Sequence, residues 1–363
     1  MSRRPALVLA AVLAVAVLAA PAAHARGVSR DFVGITAEDV FAGSADYRSE
    51  NLRAQSRLGI GLIRQTFDWS RIETAPGRYD LAYHDEFVAA AADHGITILP
   101  ILFRAPDFHL GRRHAQYACP PRRNASMAAF ARVLVRRYGP RGTLWSERPW
   151  LRKRPIRSWQ IWNEPNLRQY WCGRPKARRY AAMLRTVGRA IERADRRAHI
   201  VTAGLPPSFQ GGAVRLNRYL GQLYRAKAAR HFDSLAINSY AKDHRALGRL
   251  LTSVRKLMNK RRDRRGQIWI TELGWSDAGP RSRFRAGERG QAKRIAKSLA
   301  LIRAKRRKLR LRGVVYYSWR DAPPYAPDFD DMWGLHTGLL DIGGAPKRAY
   351  RAFGRRTRAF RRP

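Results

Sequence analysis

The 363-residue chain is poor in cysteine, poor in acid and nearly devoid of long apolar runs. Its two cysteines, Cys119 and Cys172, are too few for the multi-bridge scaffold of a small secreted domain. No Cys-x-x-Cys or His-x-x-x-His spacing accompanies them, so neither a metal site nor a cofactor is expected. Asp plus Glu number 27 against 72 Lys plus Arg, a formal charge of +45. Such an excess attracts polyanions. Yet zinc-finger, basic-zipper, RRM and KH signatures are all missing, which leaves no dedicated nucleic-acid motif. Low-complexity linkers and short fixed repeats are absent too, which argues against a divided chain or a solenoid.

The one long apolar stretch, residues 6–20, follows Arg3 and Arg4 and precedes Ala23-His24-Ala25. It falls short of the roughly 20 residues that span a bilayer, and Pro21 interrupts it. Residues 1–25 therefore read as a secretory signal peptide, leaving 26–363 as an exported domain with no transmembrane segment, secreted or held at the cell envelope. Pro5 directly after the arginine pair makes a poor twin-arginine match and leaves the export route open. Both cysteines fall in Pro- or Gly-flanked polar loops, so a Cys119–Cys172 disulfide is expected, with two free thiols as the alternative.

Beyond the leader the chain alternates between short apolar runs and amphipathic stretches, the pattern of βα units around a parallel sheet. Eight runs fit strands: 32–36, 61–67, 97–103, 156–162, 200–204, 234–238, 267–271 and 314–319. The clearest helical periodicities cover 81–93, 126–138, 178–195, 214–228, 246–260 and 288–306. Eight such units in one undivided chain predict a single (β/α)8 TIM barrel, with a doubly wound open sheet as the alternative.

Two of the predicted strands end in glutamates. Ile161-Trp162-Asn163-Glu164-Pro165-Asn166 closes the fourth, and Ile270-Thr271-Glu272-Leu273-Gly274-Trp275 closes the seventh. Barrel chemistry gathers at these C-terminal strand ends, so both carboxylates are placed to reach one cleft. Glu38, Glu86 and Glu288 read instead as solvated surface acids. An unpaired carboxylate after a Trp-, Ile- and Thr-rich run is costly, so Glu164 and Glu272 need partners or a catalytic purpose. Paired carboxylates suit glycosidic cleavage, one protonating the leaving oxygen while the other attacks or stabilises the oxocarbenium-like transition state.

These motifs resemble those of the clan of retaining glycoside hydrolases that includes families 5 and 39. The likeness continues through Phe67-Asp68-Trp69-Ser70-Arg71-Ile72-Glu73 with Gly77-Arg78-Tyr79-Asp80. It ends in Gly338-Leu339-Leu340-Asp341 with Pro346-Lys347-Arg348-Ala349-Tyr350. The resemblance implies a glycosidase barrel with Glu164 as general acid/base and Glu272 as nucleophile. It implies Arg64 beside the nucleophile, Asn163 binding the sugar 2-hydroxyl, and Trp319 as the aromatic floor under the sugar. Tyr240 matches a tyrosine that donates to the nucleophile, although Asn238 stands where relatives carry histidine. Trp69, Trp275 and Trp333 are candidates to extend the floor, since sugar C–H faces pack on aromatic rings.

Two classes of function remain from the sequence: a secreted retaining O-glycosidase acting on a β-linked carbohydrate, or a barrel serving as a carbohydrate- or polyanion-binding protein. The intact Glu164, Glu272, Asn163 and Arg64 set favours the first. Xylosides, glucans, mannans and acidic glycans all fit as substrates. Basic runs at 148–154, 193–197, 260–265 and 303–312 precede predicted strands, and the tail 355–362 adds to them. This pattern predicts a cationic N-terminal barrel face, serving either association with anionic cell-envelope polymers or solubility alone.

Overall fold

The computed structural model describes residues 28–111, 118–208, 211–324 and 330–361; the expected signal peptide lies outside them. Eight parallel strands form β1 (Val33–Ile35), β2 (Leu62–Asp68), β3 (Thr97–Phe103), β4 (Ser158–Ile161), β5 (His199–Val201), β6 (Ser234–Asn238), β7 (Gln267–Leu273) and β8 (Leu311–Tyr316). They close into a barrel in which each strand pairs with its neighbours in sequence and β8 pairs with β1. The expected single TIM barrel is thus the observed fold.

Around it lie helices α1 (Ala45–Arg57), α2 (Ala82–Asp93), α3 (Asn124–Tyr138), α4 (Ala177–Ala194), α5 (Leu216–Arg225), α6 (His244–Lys260), α7 (Gly287–Leu309) and α8 (Arg348–Arg361). Two of them, α1 and α8, have no counterpart among the clearest sequence periodicities. The buried residues of α1 are Arg48, Asn51, Leu52 and Gln55, so its inner face is mostly polar and carries little apolar rhythm. In α8 the buried Ala349, Ala352, Phe353 and Phe360 are interleaved with Arg351, Arg355, Arg356 and Arg358.

Strand alternation divides the barrel's apolar residues between its two sides. Leu62, Leu99, Val201, Ala236, Trp269 and Val315 form one cluster, drawn from six strands. Trp269 fits because its neighbour in β8 is Gly313, where a Cβ would come within 2.8 Å of Trp269 Nε1. The larger core lies between strands and helices, where Phe67 meets His84 at 4.7 Å and Tyr316 meets Phe353 at 5.7 Å. Burying each large side chain contributes about 1.5–3 kcal/mol.

The basic run 148–154 falls between a helix and the next strand, 193–197 and 260–265 begin at the last residues of α4 and α6, and 303–312 spans the end of α7 and the start of β8. They therefore sit toward the N-terminal face, opposite the loops that carry chemistry in such barrels. No helix among the described residues is long and apolar enough to cross a membrane.

Candidate active site

The catalytic-side geometry begins in β2. Leu62 belongs to the inner cluster, so Arg64, two residues on, also points into the barrel and is 2% exposed. A buried guanidinium needs partners on each nitrogen. Arg64 donates from Nε to Gln160 Oε1 at 2.9 Å, from Nη1 to Glu272 Oε1 at 2.8 Å and from Nη2 to Asn163 Oδ1 at 3.0 Å. One arginine therefore gathers β2, β4, the turn after β4, and β7.

The turn after β4 is unusual. Trp162 and Glu164 both adopt left-handed backbone, with φ of +71° and +44°. Such conformations are uncommon for non-glycine residues and concentrate at functional sites. The Glu164 amide donates to Gly204 O at 3.2 Å, and Trp162 Nε1 donates to Tyr170 O at 2.8 Å. The reversed chain carries Glu164 to a buried position where Asn238 Nδ2 donates to its Oε1 at 2.6 Å.

Glu272 follows a register shift in the β6–β7 ladder that sets Asn238 beside it. Its two oxygens have different donors, Arg64 on Oε1 and the Tyr240 hydroxyl on Oε2. Burial, reinforced by the Glu272 charge, lifts the Tyr240 phenol well above its ordinary range, so it remains a donor. Burial also raises Glu164, and the Glu272 charge adds to the rise. Asn238 and Arg64 oppose it, and the balance is a Glu164 carboxyl pushed up to about 8. One carboxyl is thus set to carry a proton near neutrality while the other sits against a guanidinium.

The structure brings Glu164, Glu272, Arg64, Asn163 and Tyr240 together and separates three of the tryptophans from them. Trp69, Trp275 and Trp319 are 0%, 0% and 1% exposed. Their indole N–H groups donate to Glu73, to Ala241 O and to Asn51 Oδ1. They are core side chains, and the expectation of a sugar floor built on them is corrected. Trp319 was misplaced because β8 ends at Tyr316, three residues short of it, and its ring packs outward against Tyr350 of α8. Tyr317, half-buried, follows β8 directly, and its amide donates to Leu273 O at 2.9 Å, which keeps it beside the end of β7.

The half-buried aromatics near Glu272 are Tyr240, Phe284 and Trp333. Trp333 lies 5.0 Å from Tyr240 edge-on and 4.5 Å from Phe284. Sequence reading missed Gln160, Thr271, Gly204 and Phe284, and left the role of Asn238 open. Gln160 carried a signal, being an uncharged polar residue set between the apolar Trp159 and Ile161. Glu38, read as solvated, instead accepts from Gln65 Nε2 at 2.7 Å, and burial raises its carboxyl above the ordinary range.

Cys119 and Cys172 form the expected disulfide, with Cα atoms 4.7 Å apart, joining the loops after β3 and β4. This pins the loop that leaves Glu164.

No family model and no curated protein matches the chain. Solved structures do. A family 39 glycoside hydrolase from the gut symbiont Bacteroides cellulosilyticus WH2 superposes with a TM-score of 0.68 at 17% identity, covering 92% of this chain and 64% of the other. A GH5_18 protein from Bifidobacterium longum subsp. infantis gives 0.66 at 15% identity, covering 91% of this chain and 79% of the other. Xylanase 10B from Thermotoga petrophila RKU-1, in complex with xylobiose, gives 0.61 at 15% identity, covering 91% and 94%. The likeness is one of fold: the chain shares the (β/α)8 architecture of these carbohydrate-active barrels. It spans about two thirds of the length of the family 39 protein.

Proposed function

We propose that the chain is a secreted retaining O-glycosyl hydrolase that cleaves a β-linked glycoside or polysaccharide by double displacement. The observation that carries this reading is the contrast between Glu164, pushed up to about 8, and Glu272, which accepts from both Arg64 and Tyr240. Two carboxyls driven apart by their surroundings divide acid and nucleophile roles.

In the first step Glu164 gives its proton to the glycosidic oxygen as a Glu272 oxygen attacks the anomeric carbon. The leaving group departs and a covalent glycosyl-enzyme forms. In the second, the Glu164 carboxylate takes a proton from water, whose oxygen attacks the same carbon and releases Glu272. Asn163 spends its carbonyl on Arg64, which leaves its amide N–H groups to bind the sugar 2-hydroxyl. Tyr240, Trp333 and Phe284 offer aromatic faces for sugar C–H contacts. The cationic N-terminal face would hold the enzyme on anionic envelope polymers without those polymers being cleaved.

The test is a hydrolysis screen of β-linked glycosides and polysaccharides with wild type beside Glu272→Ala. Turnover should vanish in the variant on every substrate. Glu164→Ala should spare substrates whose activated leaving groups need no proton. Early NMR of the product should show retained anomeric configuration; inversion would exclude double displacement.

A further inference from the structure

The catalytic face holds a second feature, a cavity of about 460 Å3 between the loops after β4 and β5 and the first turns of α5. Arg168, Arg174 and Arg218 line it, together with Gln222, Val214 and Gly212. All three guanidinium-bearing residues are exposed, and among the described residues no carboxylate lies within ion-pair distance of any of them. Elsewhere the chain's scarce acids are matched to arginines, as in Arg137 with Asp85 and Arg312 with Asp31. Three like charges facing one concavity without an internal counterion repel one another until an anion enters.

The cavity is held by specific contacts rather than by loose loops. Asn166 donates from Nδ2 to Pro206 O and Val214 O, each at 3.1 Å, and its backbone carbonyl accepts from the Val214 amide at 2.8 Å. The loop after β4 is thereby stitched to the loop after β5. Gly212, with φ +75°, leaves room for the Arg168 stem, whose Cδ lies 3.3 Å from where a Cβ would stand. The Cys119–Cys172 bridge anchors the same loop two residues before Arg174. Arg168 itself follows Glu164 by four residues, so the cationic lining belongs to the segment that presents the acid.

We propose that this cavity is a subsite for an oxyanion group carried by the substrate, so that the preferred substrate is an acidic glycan bearing carboxylate, sulfate or phosphate. Arginine forks bind such groups with paired, charge-assisted hydrogen bonds. The proposal rests on the glycosidase reading, since the anion is placed on a sugar chain reaching from the cleft. Its test is independent of turnover. The Glu272→Ala protein is titrated with fluorescently tagged oligogalacturonate, a sulfated galactan oligomer and a neutral galactan oligomer of equal length, at 0.1 M salt. At least one charged oligomer should bind at least tenfold more tightly than the neutral one, and which of them does so names the group.

Replacing Arg168, Arg174 and Arg218 together by Gln should erase that preference. An equal charge loss in the groove between α6 and α7, by Arg245→Gln, Arg249→Gln and Lys256→Gln, should preserve it, with both triple variants melting as the parent does. A parallel set of Arg→Lys replacements in the cavity should retain part of the preference if folding were perturbed by Gln. Equal losses in the two triple variants would reduce the effect to overall charge and overturn the proposal, as would the absence of any preference for charged oligomers. Wild-type protein without turnover but with intact anion preference would refute the glycosidase reading and leave the subsite standing.

Discussion

Asn238 donates to Glu164 at 2.6 Å while its own carbonyl accepts from the Thr271 hydroxyl at 2.9 Å. The hydroxyl fixes which end of the amide faces the acid. A donor on a carboxylate favours its charged form, so Asn238 works against the burial that raises Glu164. Asn238→Ala should therefore move the alkaline limb of kcat/KM upward and lower kcat. A pH–rate profile identical to that of wild type would remove Asn238 from the acid's environment.

Gly204 enforces that contact. A Cβ at position 204 would stand 2.1 Å from Asn238 Oδ1 and 2.8 Å from Thr271 Oγ1. Gly204→Ala should displace the amide, reducing activity much as Asn238→Ala does, with an added overpacking cost of about 1–3 kcal/mol. Steady-state kinetics and a denaturant melt check the two effects separately.

Wild-type kcat/KM should fall as pH rises through about 8, where Glu164 loses its proton. Stability should move in the same direction. The native group holds its proton above the ordinary carboxyl value, so from about 4.5 to 8 the native state binds more protons than the unfolded chain and stability declines with rising pH. Glu164→Gln should flatten this slope, melting higher than wild type at pH 8 and converging with it toward pH 4. Parallel slopes for the two proteins would refute the assignment.

Tyr240→Phe deletes the donor to Glu272 Oε2 and leaves Arg64 in place. Removing one preorganised donor of this kind costs about 10²–10³-fold in kcat. The fall should appear with little change in binding of a neutral ligand, measured by titration.

The Cys119–Cys172 bridge closes a loop with a sequence separation of 53 residues. Loop-closure entropy assigns about 4 kcal/mol to such a crosslink. Urea unfolding of Cys119→Ala/Cys172→Ala should show a loss of that order, and a reductant should lower the wild-type midpoint without affecting the variant.

Much of the site was legible because strand-end position is written locally. Glu164 and Glu272 each close an apolar run before Pro or Gly, and Arg64 sits inside one, so the barrel pattern already points all three at one mouth. The tryptophans were misread for the complementary reason. Side-chain direction at a strand's end depends on the residue at which pairing stops, and β8 stops at Tyr316. Beyond that point period-two alternation no longer applies, and Trp319 turns outward to Asn51.

By itself the sequence determined the βα alternation, the single domain, the two carboxyl-bearing strand ends and the scarcity of acid, since each follows from local pattern or composition. Only the tertiary structure decided that Asn238 meets Glu164, that Gly204 leaves room for it, and that Arg168, Arg174 and Arg218 share one cavity. Asn238 stands 74 positions from Glu164 and 34 from Gly204, and Arg218 follows Arg174 by 44, and no local propensity encodes a distance that only barrel closure creates.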